Sequence, residues 1–177
     1  GRLFRNEGVA LSMDLPGAPL LFLNAHPGEV EDMSVVAEFE TLRSRFPKAS
    51  MVLEIHEASV VDLTRMNAIR DALRTLDVGL AYDNFGAGQS RLRDLVEVPP
   101  DYLKFDMSLI RGIDRAPLAQ KKLLEGLVRV LSDLDIACLA EGVERDGELD
   151  FCRNVGFRYV QGFLLGRVHP RTYCRLI

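Results

Sequence analysis

The chain has 177 residues, 47% of them hydrophobic and 27% charged, with 22 basic against 26 acidic side chains. That length suits one domain with a substantial core, and a net charge of −4 argues against a duplex nucleic-acid binder, which carries a basic face. No apolar run reaches the ~18 residues of a membrane span and no signal peptide opens the chain, so a cytoplasmic protein with no membrane segment is expected.

The elements follow in chain order. A short helix is predicted around Leu3–Met13, then a loop holding Pro16, Gly17 and Pro19. Strand-length apolar runs lie at Leu20–Leu23, Met51–Ile55, Val78–Tyr82, Tyr102–Phe105, Ile136–Ala140 and Phe157–Val160. Helical stripes separate them. Val36, Phe39, Leu42 and Phe46 step by three or four, as do Met66, Ile69, Leu73 and Leu76. A weaker helix, Gln89–Val98, stops before Pro99-Pro100. Pro117 suits a first helical turn, and Leu123, Leu124, Leu127, Val128, Leu131 and Leu134 form the stripe behind it. Leu149, Cys152 and Val155 form a last short stripe, closed by Gly156. Cys138, Cys152 and Cys174 are scattered and read as free thiols of a reducing compartment.

Strands alternating with helices imply parallel pairing through right-handed crossovers, with the sheet covered by helices. An open doubly wound sheet and a closed (β/α) barrel both fit. No GxGxxG or Walker loop follows the first strand, which removes the best signature of the nucleotide-binding sheets. The polar residues favour the barrel. Asn24, Glu54, Asp83 with Asn84, Lys104 with Asp106, Glu141 and Gln161 all fall at or near strand C-terminal ends. In a barrel those ends meet on one rim, where active sites of that architecture sit. Carboxylates plus an amide oxygen suit Mg²⁺ or Mn²⁺ better than zinc, and such ions activate water for phosphoryl displacement. The competing reading of each acid is a helix cap or a surface ion pair. His26 reads as a loop residue and His56 as a polar group beside the ligands. Tyr82, Tyr102, Phe105 and Tyr159 read as core or helix-facing rings, with Phe163 open between core and guanine stacking. Arg91 and Arg93 fit a phosphate contact and a solvated helix face equally well.

The strings LFLNAHP (Leu21–Pro27), LEIHE (Leu53–Glu57), YDNFGAGQSRL (Tyr82–Leu92), PPDYLKFD (Pro99–Asp106), LAEGVE (Leu139–Glu144) and VQGFLLG (Val160–Gly166) resemble, in order and spacing, the EAL family of cyclic di-GMP phosphodiesterases. The resemblance implies an α/β fold, a (β/α)₈ TIM-like barrel, and metal-dependent hydrolysis of cyclic di-GMP to the linear dinucleotide. It implies Asn24, Glu54 and Asp83 as metal ligands, with Asn84 beside them. Lys104 and Glu141 would hold the attacking water, and Asp106 would support them. Glu144 and Gln161 would support the site and the substrate. Glu57 would tie down the loop after Asp83, with Gly86 and Gly88 giving that loop its close approach.

Two departures from the family pattern stand out. Asn84 replaces the usual second aspartate, so one of two Mg²⁺ or Mn²⁺ ions should bind more weakly or be lost. The EAL tripeptide itself is absent. A barrel of eight units takes ~250 residues, and 177 leave room for about six at roughly 30 each. The expectation is therefore one EAL-like domain over residues 1–177, with an opening helix and loop at 1–19, motif-bearing units at 20–170, and the first one or two strands missing. Three functions fit: a phosphodiesterase impaired by Asn84 and the missing strand, an inactive cyclic di-GMP sensor, or an interaction module. A homodimer and further signalling domains are the expected partners.

Overall fold

A computed structural model describes residues 2–59, 62–88, 92–166 and 175–176. The chain forms two compact units, Gly1–Tyr82 with Arg91–Pro100, and Asp83–Ser90 with Asp101–Ile177.

The first unit opens with α1 (Arg2–Ser12), β1 (Leu20–Asn24), α2 (Pro27–Glu31) and α3 (Ser34–Arg45). It continues through β2 (Ser50–His56) and α4 (Leu63–Thr75) into β3 (Gly79–Phe85), and includes α5 (Leu92–Glu97). β1 runs parallel to β2, in register from Leu20 opposite Ser50 to Asn24 opposite Glu54. The strand order within this unit is β1-β2-β3. Residues 51–55 of β2 are all buried, as expected of a parallel strand covered on both faces. The covering helices bury one face each: Val35, Phe39 and Leu42 from α3, and Met66, Ile69 and Leu73 from α4. Asp62 caps α4 by accepting the Arg65 N–H at 3.1 Å. The predicted α3 stripe shifts by one residue, because Val35 rather than Val36 reaches the core.

The second unit takes the end of β3 and adds β4 (Tyr102–Phe105), α6 (Met107–Ile110), α7 (Leu118–Asp133), β5 (Ala137–Ala140), α8 (Asp146–Val155), β6 (Tyr159–Val160) and β7 (Arg175–Leu176). Its strand order is β3-β4-β5-β6-β7. β4, β5 and β6 are parallel neighbours. The ring of Phe105 meets Phe85 and Phe157 edge-on at 5.3 and 5.1 Å, the offset geometry aromatic pairs prefer.

Three local expectations change. The predicted stripe is wider than the buried face of α7: Leu124, Val128 and Leu131 are buried, while Leu123, and Leu134 just past the helix, are exposed. The weak helix is shorter, Leu92–Glu97, and Gln89 and Arg91 lie outside the described residues. β7, antiparallel to β6, was not predicted, since two residues carry no periodicity. Gly156 ends α8 as expected, at φ +104°. Cys138 and Cys152 are free and buried, and Cys174 lies outside the described residues. Among the described residues no helix is long and apolar enough to cross a membrane.

Candidate active site

The second unit gathers four of the predicted residues. Lys104 sits in β4 between Leu103 and Phe105, both fully buried, and is itself only 5% exposed. An ammonium so buried needs partners. It has two, Asp83 Oδ1 at 3.0 Å and Glu141 Oε1 at 2.9 Å. The Asp83 contact is ionic without hydrogen-bond alignment, so Asp83 Oδ1 is buried with no hydrogen-bond donor. Asn84 donates from Nδ2 to Asp83 Oδ2 at 3.3 Å. Burial pushes the Glu141 carboxyl above the usual carboxylate range, with Lys104 opposing the shift.

The backbone explains why these groups meet. β3 does not end at Asp83 and Asn84 but runs on to Phe85. Asn84 adopts φ +62°, a left-handed conformation that asparagine tolerates better than most residues. Gly86 follows at φ +93°, where an added Cβ would lie 2.3 Å from Leu109 Cδ1. Gly88 is exposed with open space around it. Glu141 follows β5 and donates its N–H to the Phe105 carbonyl at 3.1 Å. That bond seats Glu141 beside the strand bearing Lys104. The loop after it is flush with its neighbours. A Cβ on Gly142 would lie 2.4 Å from Met107 Cβ, and one on Gly162 would lie 2.1 Å from the Val143 carbonyl oxygen.

Other predicted residues take different places. Asp106 caps α6, accepting the Ser108 N–H at 2.9 Å. Hydrogen bonding from the Ser108 side chain holds its carboxyl below the usual range, against the effect of burial. Glu144 is exposed and pairs with Arg111. Gln161 is exposed, and its backbone bridges Ala140 and Val143 at 2.9 and 3.1 Å. In the first unit, Asn24 closes β1 beside the buried Glu54, and the Ala25 N–H reaches the Glu54 carbonyl at 2.8 Å. Glu57 is half-buried in a 3₁₀ turn, Glu57–Ser59, after β2. His26 caps α2 through Nδ1, which accepts the Gly28 N–H at 3.2 Å, so it is a loop residue as read. His56 is exposed at the end of β2. Tyr82 and Phe105 are core, Tyr102 and Tyr159 pack edge-on at 5.9 Å, and Phe163 is exposed. Arg93 pairs with Glu97 on an exposed face. An open groove of about 530 Å³ in the first unit, between Pro27, Val30, Asp62 and Arg65, contains none of the predicted site residues.

The sequence reading missed Glu148. Its carboxylate is 2% exposed and accepts the N–H groups of Gly112 at 2.8 Å, Glu144 at 2.9 Å and Arg145 at 3.1 Å. It also accepts from the Arg145 guanidinium at 3.1 and 2.9 Å. It therefore fixes the loop that begins at Glu141. A glutamate three residues past a helix start was the available signal.

Among the described residues, no three His, Cys, Asp or Glu side chains form a ready cation cage. The donor set of the second unit is two carboxylates and an amide, with an ammonium between the carboxylates. These are hard oxygen donors of the kind Mg²⁺ and Mn²⁺ take, and the donorless Asp83 Oδ1 fits such an ion.

Comparison with known proteins gives the same reading. The EAL domain model matches residues 5–168. The cyclic di-GMP phosphodiesterase RocR of Pseudomonas aeruginosa is 29% identical over 176 residues, covering 95% of this chain and 44% of that protein. The probable cyclic di-GMP phosphodiesterase PdeN of Escherichia coli is 26% identical over 170 residues, covering 95% and 33%. Klebsiella pneumoniae BlrP1, solved with manganese and cyclic di-GMP, superposes with a TM-score of 0.82 at 31% identity, covering 94% of this chain and 43% of that one. The EAL domain of Pseudomonas aeruginosa FimX, bound to cyclic di-GMP, shares the fold with a TM-score of 0.85 at 19% identity, covering 97% and 71%. The chain thus spans less than half the length of these curated relatives, and its α/β fold is the TIM-like fold of EAL structures. With nearly its whole length matched by one family model, the chain belongs to the EAL domain family.

Proposed function

We propose that this chain is a cytoplasmic EAL-type phosphodiesterase domain that acts on cyclic di-GMP with Mg²⁺ or Mn²⁺. The observation that carries the reading is the buried Lys104 ammonium between Asp83 and Glu141, with Asp83 Oδ1 lacking a hydrogen-bond donor. In the second unit Asp83 and Asn84 would hold a cation; in the first, Asn24 and Glu54 are proposed as metal ligands. A bound Mg²⁺ or Mn²⁺ supplies Lewis-acid activation of water and charge for the phosphate oxygens. Lys104 orients that water and offsets phosphate charge. Glu141, its proton affinity raised by burial, is suited to take the water's proton. The water oxygen bonds to phosphorus, one ring phosphorus–oxygen bond breaks, and the released ribose oxygen takes a proton. The product is the linear dinucleotide. Asp106, Glu144, Gln161 and Glu57 support the site, with Gly86 and Gly88 shaping its loop.

Asn84 favours a second reading, a sensor that binds cyclic di-GMP without cleaving it. One negative charge is absent where cation affinity depends on ligand charge. Incubation with cyclic di-GMP and Mg²⁺ or Mn²⁺, following binding and linear product together, separates the two. Product above background establishes the enzyme, and binding without product establishes the sensor. Neither binding nor product overturns both. Pairing of two copies and linkage to further signalling domains belong to the same proposal. A monomer mass at every concentration in sedimentation would overturn the pairing.

A further inference from the structure

The first unit contains a buried arginine that the chemistry above does not use. Arg5, on α1, is 4% exposed. Its Nε donates to Glu38 Oε1 at 2.8 Å, and its Nη2 donates to Glu38 Oε2 at 2.5 Å and to Glu29 Oε1 at 2.8 Å. Its Nη1 donates to the backbone carbonyl of Asn24. The other Glu29 oxygen accepts the His26 N–H at 2.9 Å. The peptide group after Asn24 is therefore held from both sides. Arg5 takes its carbonyl, and the Glu54 carbonyl takes the Ala25 N–H at 2.8 Å.

A charged group buried this deeply is costly unless every partner is in place. A guanidinium offers a rigid planar fork that a lysine cannot reproduce. The fork joins α1, α3 and the turn that leads from Asn24 into α2. Plain structural clamping would not require it to close on the strand end that carries Asn24. The same unit has such a clamp in Arg43. That side chain donates to the carbonyls of Leu76, Ala49 and Asp77 at 2.7, 2.8 and 2.6 Å, all at the opposite, entering ends of β2 and β3.

We infer that Arg5 is a positioning residue for cation binding, acting through the Asn24–Ala25 peptide to aim the Asn24 side chain. The inference rests on the proposed ligand role of Asn24. Groups one step behind a metal ligand commonly govern its affinity.

The test uses the full chain, with Mn²⁺ alone as the probe. Its affinity is measured by calorimetry, and thermal stability is followed in parallel. Arg5→Lys should weaken Mn²⁺ binding by about tenfold. Arg43→Lys, chosen as the clamp control, should lower the melting temperature by a similar amount and leave Mn²⁺ affinity at the wild-type value. Asn24→Ala should match or exceed the loss seen in Arg5→Lys. Wild-type affinity in Arg5→Lys while Asn24→Ala binds weakly would overturn the inference alone. Equal losses in Arg5→Lys and Arg43→Lys would also overturn it, by showing a general stability effect. Wild-type affinity in Asn24→Ala, or no Mn²⁺ uptake by the wild-type chain, would overturn the ligand role and the inference with it. Should Arg5→Lys not fold, Glu29→Gln loosens the same fork one step further out and should weaken Mn²⁺ binding by less than the roughly tenfold of a group directly behind the ligand; unchanged affinity there counts against the inference.

Discussion

Replacing Glu148 by glutamine should destabilise the second unit more than its small change in shape suggests. The Glu148 Oε1 atom receives Gly112 N–H and two Arg145 guanidinium N–H groups, and Oε2 receives the N–H groups of Glu144 and Arg145. A glutamine has one acceptor oxygen and one NH₂. In either orientation the NH₂ faces at least two donors and leaves them without an acceptor. Each orphan costs about 1–3 kcal/mol, so two cost about 2–6 kcal/mol at pH 7. That is a large share of the ~5–15 kcal/mol that holds a typical domain.

The same contacts set a pH dependence. Burial pushes the Glu148 carboxyl up, but hydrogen bonds from Gly112, Glu144 and Arg145 outweigh it and hold it at about 2, against an ordinary 4.5. A depressed carboxylate contributes stability that is complete above its unfolded value and is lost as pH falls through its folded value. The difference amounts to about 3 kcal/mol, in line with the hydrogen-bond count. Urea unfolding of wild type and Glu148→Gln, repeated from pH 7 to pH 2.5, should show a gap that is constant down to about pH 4.5 and then closes. A gap under about 1 kcal/mol at pH 7, or one that does not change with acid, would refute the reasoning.

Three further outcomes are expected. Asn84→Asp restores one negative charge where the backbone already accepts the left-handed conformation. It should tighten Mn²⁺ binding by about 1–2 kcal/mol, or roughly 5–30-fold, measured by calorimetry; unchanged affinity would mean that position 84 does not face the cation. Lys104→Met removes the ammonium between Asp83 and Glu141. It should cost about 3–5 kcal/mol in urea unfolding and abolish linear product. Gly86→Ala places a Cβ against Leu109 at a φ of +93°. It should lower stability by about 2–4 kcal/mol, and a crystal structure should show Leu109 displaced.

The six predicted strands were legible as apolar runs, the fullest of them Met51–Ile55, where every residue is buried. The cluster of Asp83, Lys104 and Glu141 was legible for a related reason. Charged residues within or just after such runs stand out, and parallel strands bring their ends together. Helix faces were less legible. On α7, Leu123 and Leu124 are equally apolar, yet one is 75% and the other 5% exposed. Only the packing decides between them. The role of Asp106 was half legible: strand alternation put it on the Lys104 face, but its carboxylate instead accepts the N–H of Ser108. Local capping competed with the shared site.

Arg5 was illegible, and Glu148 was marked only by its place three residues past a helix start; one physical reason lies behind both, and their opposite charges follow from it. Each lies far in sequence from some of the groups it binds, so no periodicity marks it: Arg5 stands 19 residues from Asn24, and Glu148 stands 36 from Gly112. What each supplies is set by the backbone at its own place. At the end of β1 the outstanding group is a carbonyl oxygen, which calls for a donor, and a guanidinium provides five. At the start of α8 the outstanding groups are N–H donors, as at every helix N-terminus, and a carboxylate accepts several at once. A functional side chain at a strand end is only as well aimed as the peptide that carries it. Both units therefore place a buried charge behind the turn that carries a candidate site residue, Asn24 in one and Glu141 in the other. In both cases exchanging the charge for its neutral or differently shaped relative should disturb that aim together with the stability of the unit.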